Sequence, residues 1–184
     1  MIYEFCAENV TLLKKAMQAG ARRIELCDNL AVGGTTPSYG VTKAAVELAS
    51  DYDTTIMTMI RPRGGDFVYN DLEISIMLED IRVTAQAGSQ GVVFGALTAD
   101  KKLDKSNLEK LIAASKGMEI VFHMAFDELS DEDQLEAIDW LSQAGVSRIL
   151  TRAGVSGDSL EKRFAHYRKI LEHAAGKIEI LPGG

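Results

Sequence analysis

Arg23-Ile24-Glu25-Leu26-Cys27-Asp28 is the stretch that decides the fold. Ile24 and Leu26 are apolar, while Glu25 and Cys27 between them are not. That period of two belongs to a β-strand. The N-terminal run repeats it, with Tyr3 and Phe5 alternating with Glu4 and Cys6. Such strands turn one face toward helices and the other toward an interior that accepts polar groups. A closed barrel has such an interior near its mouth. Central strands of an open parallel sheet, covered by helices on both faces, are more uniformly apolar.

Outward from this stretch one pattern recurs along the chain. Short β-rich runs occupy Ile2–Ala7, Arg23–Asp28, Thr54–Ile60, Gly91–Leu97, Glu119–Phe126, Arg148–Arg152 and Ile178–Leu181. Their starts lie roughly 20 to 37 residues apart, the spacing of repeating βα units. The stretches between them carry apolar residues at helical spacing and close on glycine, as in Asn9–Ala19 before Gly20 and Asp71–Ala87 before Gly88. Leu103–Ser115, Asp131–Ala144 and Ser159–Ala175 read the same way. The second helix is predicted to start with Thr36 as N-cap and Pro37 at its first position. Strict alternation implies a parallel sheet with right-handed crossovers. The expected fold is α/β, a (β/α)8 TIM-type barrel represented by about seven strands and six helices. A complete barrel has eight of each. The expectation is therefore one barrel domain over residues 1–184, cut before its last βα unit.

The chain has 184 residues and a formal charge of −7. An acidic balance argues against nucleic acid or an anionic membrane as partner, because both need a concentrated basic face. No basic n-region precedes an apolar segment at the N-terminus, and no window reaches the length of a membrane span. With two cysteines, Cys6 and Cys27, a disulfide scaffold is not expected, and a cytoplasmic protein with reduced thiols is.

In barrels of this type the chemistry sits at the C-terminal ends of the strands. The third strand runs into Arg61-Pro62-Arg63-Gly64-Gly65-Asp66-Phe67. Two arginines beside flexible glycines suit a carboxylate or phosphate, with Arg61, Arg63, Gly64, Gly65 and Asp66 as the anion-binding set. The same arginines could instead pair with Glu25, Asp66 or Asp127 and hold the loops. Cys6 and Cys27 are read at matching places on neighbouring strands, where two thiolates suit Cu(I). The alternative for the thiols is simple packing. His123, with Asp127 close by in sequence, and Glu25 are the residues for proton transfer if the protein is an enzyme. His166 and His173 are expected on a helix surface, and Trp140 in helix-to-barrel packing.

These motifs together resemble the CutC family. The resemblance rests on Glu25-Leu26-Cys27, Gly33-Gly34, Thr36-Pro37-Ser38, Ile60 to Phe67, Phe122-His123, Ala125-Phe126-Asp127 and Leu150-Thr151. It implies a (β/α)8 barrel, a cytoplasmic location and a role in copper homeostasis, with Cys6 and Cys27 as the metal ligands. Three features depart from that pattern. Met124 stands where the resemblance leads one to expect arginine, and Arg152-Ala153 stands where it leads one to expect Ser-Gly. The last βα segment is missing, with Gly183-Gly184 resembling the start of its glycine-rich loop. Two functions stay open at this stage. One is a Cu(I)-binding homeostasis protein. The other is a TIM-barrel enzyme on a small phosphate- or carboxylate-bearing substrate. A copper ion or a small anionic ligand is the expected partner, and a homo-oligomer is compatible with either.

Overall fold

The computed structural model describes residues 2–154 and 157–183; Gly184, the second glycine of the expected C-terminal loop, lies outside them. The chain divides into two compact units. The first comprises Met1–Asp66, Asn70–Phe94 and Ala113–Glu119. It holds β1 (Glu4–Glu8), α1 (Leu13–Gln18), β2 (Arg23–Cys27), α2 (Tyr39–Ala49), β3 (Thr55–Met59), α3 (Asp71–Gln86) and β4 (Gly91–Phe94). Its strands run parallel in the order β1-β2-β3-β4. The second unit comprises Phe67–Tyr69, Gly95–Ile112 and Ile120–Gly184. It contains most of α4 (Lys105–Ala114) and of β5 (Glu119–Phe122), then α5 (Asp131–Gln143), β6 (Arg148–Thr151), α6 (Leu160–Ala174) and β7 (Glu179–Pro182). Here β5, β6 and β7 are parallel neighbours. Seven strands and six α-helices are thus found among the described residues, as the sequence pattern predicts.

The period-two reading of β2 holds at the level of packing. Ile24 and Leu26 are fully buried and join Ala7, Leu13, Met17, Ala45, Ala49 and Ile56 in the apolar core of the first unit. Glu25 and Cys27 point to the opposite face of the pleat. Burying the apolar part of one such Leu or Ile contributes roughly 1.5–3 kcal/mol, so this face anchors the unit.

Several boundaries move, each for a local reason. Helix α1 starts at Leu13 rather than Asn9, because Asn9 adopts a left-handed conformation (φ 57) and its side chain takes the Val10 amide. Helix α2 is capped by Ser38, whose side chain accepts from the Val41 amide. Thr36, the expected cap, is held elsewhere: its hydroxyl accepts from the Arg61 amide at 2.9 Å. Strand β5 stops at Phe122 because His123 caps a 3-10 helix over Met124–Glu128. Helix α5 buries Gln134, Ala137, Ile138 and Leu141, while Trp140 is half-buried with the Lys105 ammonium 6.0 Å from its ring. The two α6 histidines are not free surface residues. His166 bonds Gln134 at 2.7 Å and His173 bonds Asp139 at 2.9 Å, tying α6 to α5.

One glycine is required by packing. A Cβ added to Gly91 would lie 2.6 Å from the Met57 sulfur and 2.7 Å from the Glu119 carbonyl oxygen. The thioether can move, but the backbone carbonyl cannot. Gly91→Ala is expected to cost about 2–3 kcal/mol, and truncating Met57 in addition should relieve only part of it. Urea unfolding of the two variants checks this; a neutral Gly91→Ala would mean that the strand ends shift freely.

Candidate functional site

The polar face of β2 builds the first cluster. In the β1–β2 register Glu4 faces Arg23, Cys6 faces Glu25, and Glu8 faces Cys27. Cys6 and Cys27 are therefore not at matching places. Cys27 lies two residues further along, and Glu25 is opposite Cys6. Parallel pairing fixes this offset, and sequence alternation alone is blind to shifts by two. At the strand starts Arg23 and Glu4 form a buried ion pair. One step up, the Cys6 and Cys27 thiols both donate to Glu25 Oε1, at 3.4 and 3.7 Å. The three ligating atoms of Cys6, Glu25 and Cys27 lie within 4.8 Å of one another. Cys6 is exposed, whereas Cys27 is fully buried and Glu25 is 6% exposed.

The electrostatics of this cluster are under tension. Burial, then the charge of Glu4, pushes the Glu25 carboxyl from the ordinary 4.5 up to about 7, against the lowering effect of the two thiols. The hydrogen bond with Cys6, then burial and the Glu25 charge, pushes the Cys27 thiol well up. Glu25 Oε2 is buried and has no hydrogen-bond partner among the described residues. A buried carboxylate oxygen left unsatisfied costs about 1–3 kcal/mol or more. Two sulfurs, one of them on the exposed Cys6, and a Glu25 carboxylate oxygen lie within 4.8 Å of one another and suit a soft cation with a supporting oxygen.

The loop after β3 uses its arginines differently. The Arg61 side chain, 4% exposed, donates to the carbonyls of Val32 at 2.9 Å, Gly34 at 3.0 Å and Gly65 at 2.8 Å. It therefore binds the β2–α2 loop to the β3–α3 loop. Arg63 pairs with Glu73 at 2.5 Å and Asp66 at 3.0 Å, and its guanidinium holds the Glu73 carboxyl below the usual range. Gly65 takes positive φ (85), as expected of a residue in that loop, whereas Gly64 is needed for room: a Cβ there would sit 2.7 Å from Val32 Cβ. Several donors of both guanidinium groups are thus engaged by protein carbonyls and carboxylates.

In the second unit His123 is 4% exposed and its Nδ1 accepts the Ala125 amide at 3.2 Å. In the neutral ring Nε2 then carries the proton. The Phe67 ring lies 4.8 Å away, and a Cβ on Gly95 would approach the imidazole to 2.7 Å. Asp127 lies in the 3-10 helix after β5. Thr151 Oγ1 donates to one of its oxygens and the Arg152 amide to the other, at 3.1 Å for the latter. Burial nonetheless pushes its carboxyl up. Arg152, directly after β6, enters the sequence reading as a strand-end residue and as a departure from the family pattern, without an assigned role. Its signal was present as a charged residue directly after a strand.

Comparisons with known proteins bear on this arrangement. The model of the CutC family matches residues 1–184. The family protein CutC of Enterococcus faecalis is 52% identical over 184 residues, covering 100% of this chain and 88% of the relative. The human copper homeostasis protein cutC homolog is 39% identical over 183 residues, covering 100% of this chain and 64% of the relative. The crystal structure of a CutC protein from Streptococcus agalactiae superposes with a TM-score of 0.96 at 45% identity, covering 100% and 88% of the two chains. Deoxyribose phosphate aldolase from Aeropyrum pernix matches with a TM-score of 0.69 at 13% identity, over 100% and 75%, a likeness of fold alone. The fold is of the (β/α)8 type.

Two outcomes are expected. Arg61→Lys keeps the charge but loses the planar fork, so chemical denaturation should show a loss of about 2 kcal/mol. The second concerns Glu25 in metal-free protein. Its folded-state value lies above the unfolded one, so its contribution is complete below pH 4.5 and disappears as pH rises through about 7. Across that window wild type should lose about 3 kcal/mol that Glu25→Gln retains. Parallel stability–pH curves would refute the burial of Glu25.

Proposed function

The chain belongs to the CutC family, and from that premise we propose that it serves copper homeostasis in the cytoplasm by holding Cu(I) between Cys6 and Cys27. The observation that carries this reading is the convergence of both sulfurs and a Glu25 oxygen within 4.8 Å. Thiolates are soft donors that select Cu(I) over hard cations. Two metal–sulfur bonds of about 2.3 Å reach across at most roughly 4.6 Å, so sulfurs within 4.8 Å of each other are close enough to share an ion. The offset register also counts against a disulfide. Strand spacing and a two-residue rise put the two Cα atoms roughly 8 Å apart, beyond the roughly 7 Å that a disulfide bridges without backbone movement. The pair is thus spaced to share an ion and not to oxidise onto itself.

Proton balance follows from the same contacts. Both thiols must deprotonate to act as ligands. Both thiol protons leave as the ion binds: the exposed Cys6 releases its own to solvent, and that of the buried Cys27 leaves by way of the Glu25 oxygen it is bonded to. Cys6 gives the ion its entry, and the buried Cys27 supplies the sulfur that water does not reach. No helix among the described residues is long and apolar enough to cross a membrane. A second reading, an enzyme on a small anionic substrate, draws support from His123 and Asp127 following the C-terminal end of β5.

A competition titration of reduced protein with a strong Cu(I) chelator decides. Wild type should retain the ion, and Cys6→Ser/Cys27→Ser should bind more than about a hundredfold more weakly, with an unchanged circular dichroism spectrum. Equal retention by the two proteins would make the cysteines packing residues.

A further inference from the structure

We propose that Arg152 binds the oxyanion of a small ligand, a carboxylate or a phosphate, at the C-terminal end of β6. The case rests on a comparison with six other cations of the second unit. Lys101, Lys102 and Lys105 pair with Glu128, Asp133 and Glu136 at 2.7–2.9 Å. Lys162 pairs with Asp158 at 2.7 Å and Lys169 with Asp131 at 3.2 Å. Arg163 donates to the Arg152 carbonyl at 2.9 Å. Arg152 differs from all of these. It stands 3.9 Å from Asp127 without a hydrogen bond, while the two carboxylate oxygens accept from Thr151 Oγ1 and from the Arg152 backbone amide. Its Nε is enclosed and donates no hydrogen bond among the described residues. One terminal nitrogen has only the Met124 thioether, a weak acceptor, at 3.8 Å. The other has no hydrogen-bond partner among the described residues.

The side chain is 36% exposed, so these terminal nitrogens are within reach of a ligand while the stem is held. Its backbone is fixed as well. The Thr151 carbonyl accepts from Tyr167 at 2.6 Å, the Arg152 carbonyl from Arg163, and the Ala153 amide donates to Thr151 Oγ1 at 2.9 Å. Ala153 is kept at φ 53, where alanine is strained. A guanidinium whose backbone is this constrained, and whose terminal donors meet no oxygen among the described residues, is a preorganised fork for a planar pair of oxygens. Its position directly after a strand is where ligands are taken in this fold class. The inference is independent of copper at the thiols, which belong to the other unit.

Isothermal titration of the full chain with inorganic phosphate, and separately with malonate, tests it. Saturable binding of either probe is expected, weakened at least tenfold in Arg152→Gln, partly restored in Arg152→Lys and unchanged in Arg168→Gln. Phosphate alone or malonate alone would assign the anion class. Absence of saturable binding to wild type, or equal affinity in Arg152→Gln, would overturn the proposal. Should Arg152→Gln not fold, the guanidinium resonance of Arg152 in wild type decides: it must shift on addition of the bound probe, and a stationary resonance overturns the proposal.

Discussion

Strand β2 is buried on both faces, and most of what the first unit does follows from that constraint. All five of its residues, Arg23 to Cys27, are shielded from water. Ile24 and Leu26 meet the demand by joining the helix-covered core. Arg23, Glu25 and Cys27 cannot, so their polar groups must find partners on the strand alongside. Arg23 finds Glu4. Glu25 finds two thiols, which are weak donors, and keeps one oxygen with no hydrogen bond. A buried polar group that is only partly satisfied lowers stability, and it persists here in the cluster that suits a soft metal ion.

That tension explains the electrostatics without further assumption. Desolvation favours the neutral forms of both Glu25 and Cys27. A cation between the sulfurs reverses the preference, because it pairs with the charge that burial had disfavoured. On the proposed copper-binding reading, the neutral cluster gives up its protons to admit the ion, and affinity should rise with pH.

The arginines show how one residue type meets different neighbours. Arg61 satisfies three carbonyls of two loops, groups that would otherwise be underbonded. Arg63 is neutralised by two carboxylates. Arg152 meets a carboxylate already committed to other donors. The difference lies in the neighbours, not in the side chain.

Much was legible from the residues themselves. The period of two in Arg23–Asp28 gave the strand and its two faces, and the alternation of elements gave the (β/α) class, because both depend on spacing along one chain. Cys6, Glu25 and Cys27 were visible as polar residues on a buried pleat. The tertiary structure alone decided the register that puts Cys6 opposite Glu25, the replacement of Thr36 by Ser38 as a helix cap, the engagement of Arg61 and the distinctness of Arg152. Those outcomes turn on backbone carbonyls and amides, which every residue but proline carries in the same form. Which of them lies within 3 Å of a given side chain depends on segments far apart in sequence, and no local pattern records it.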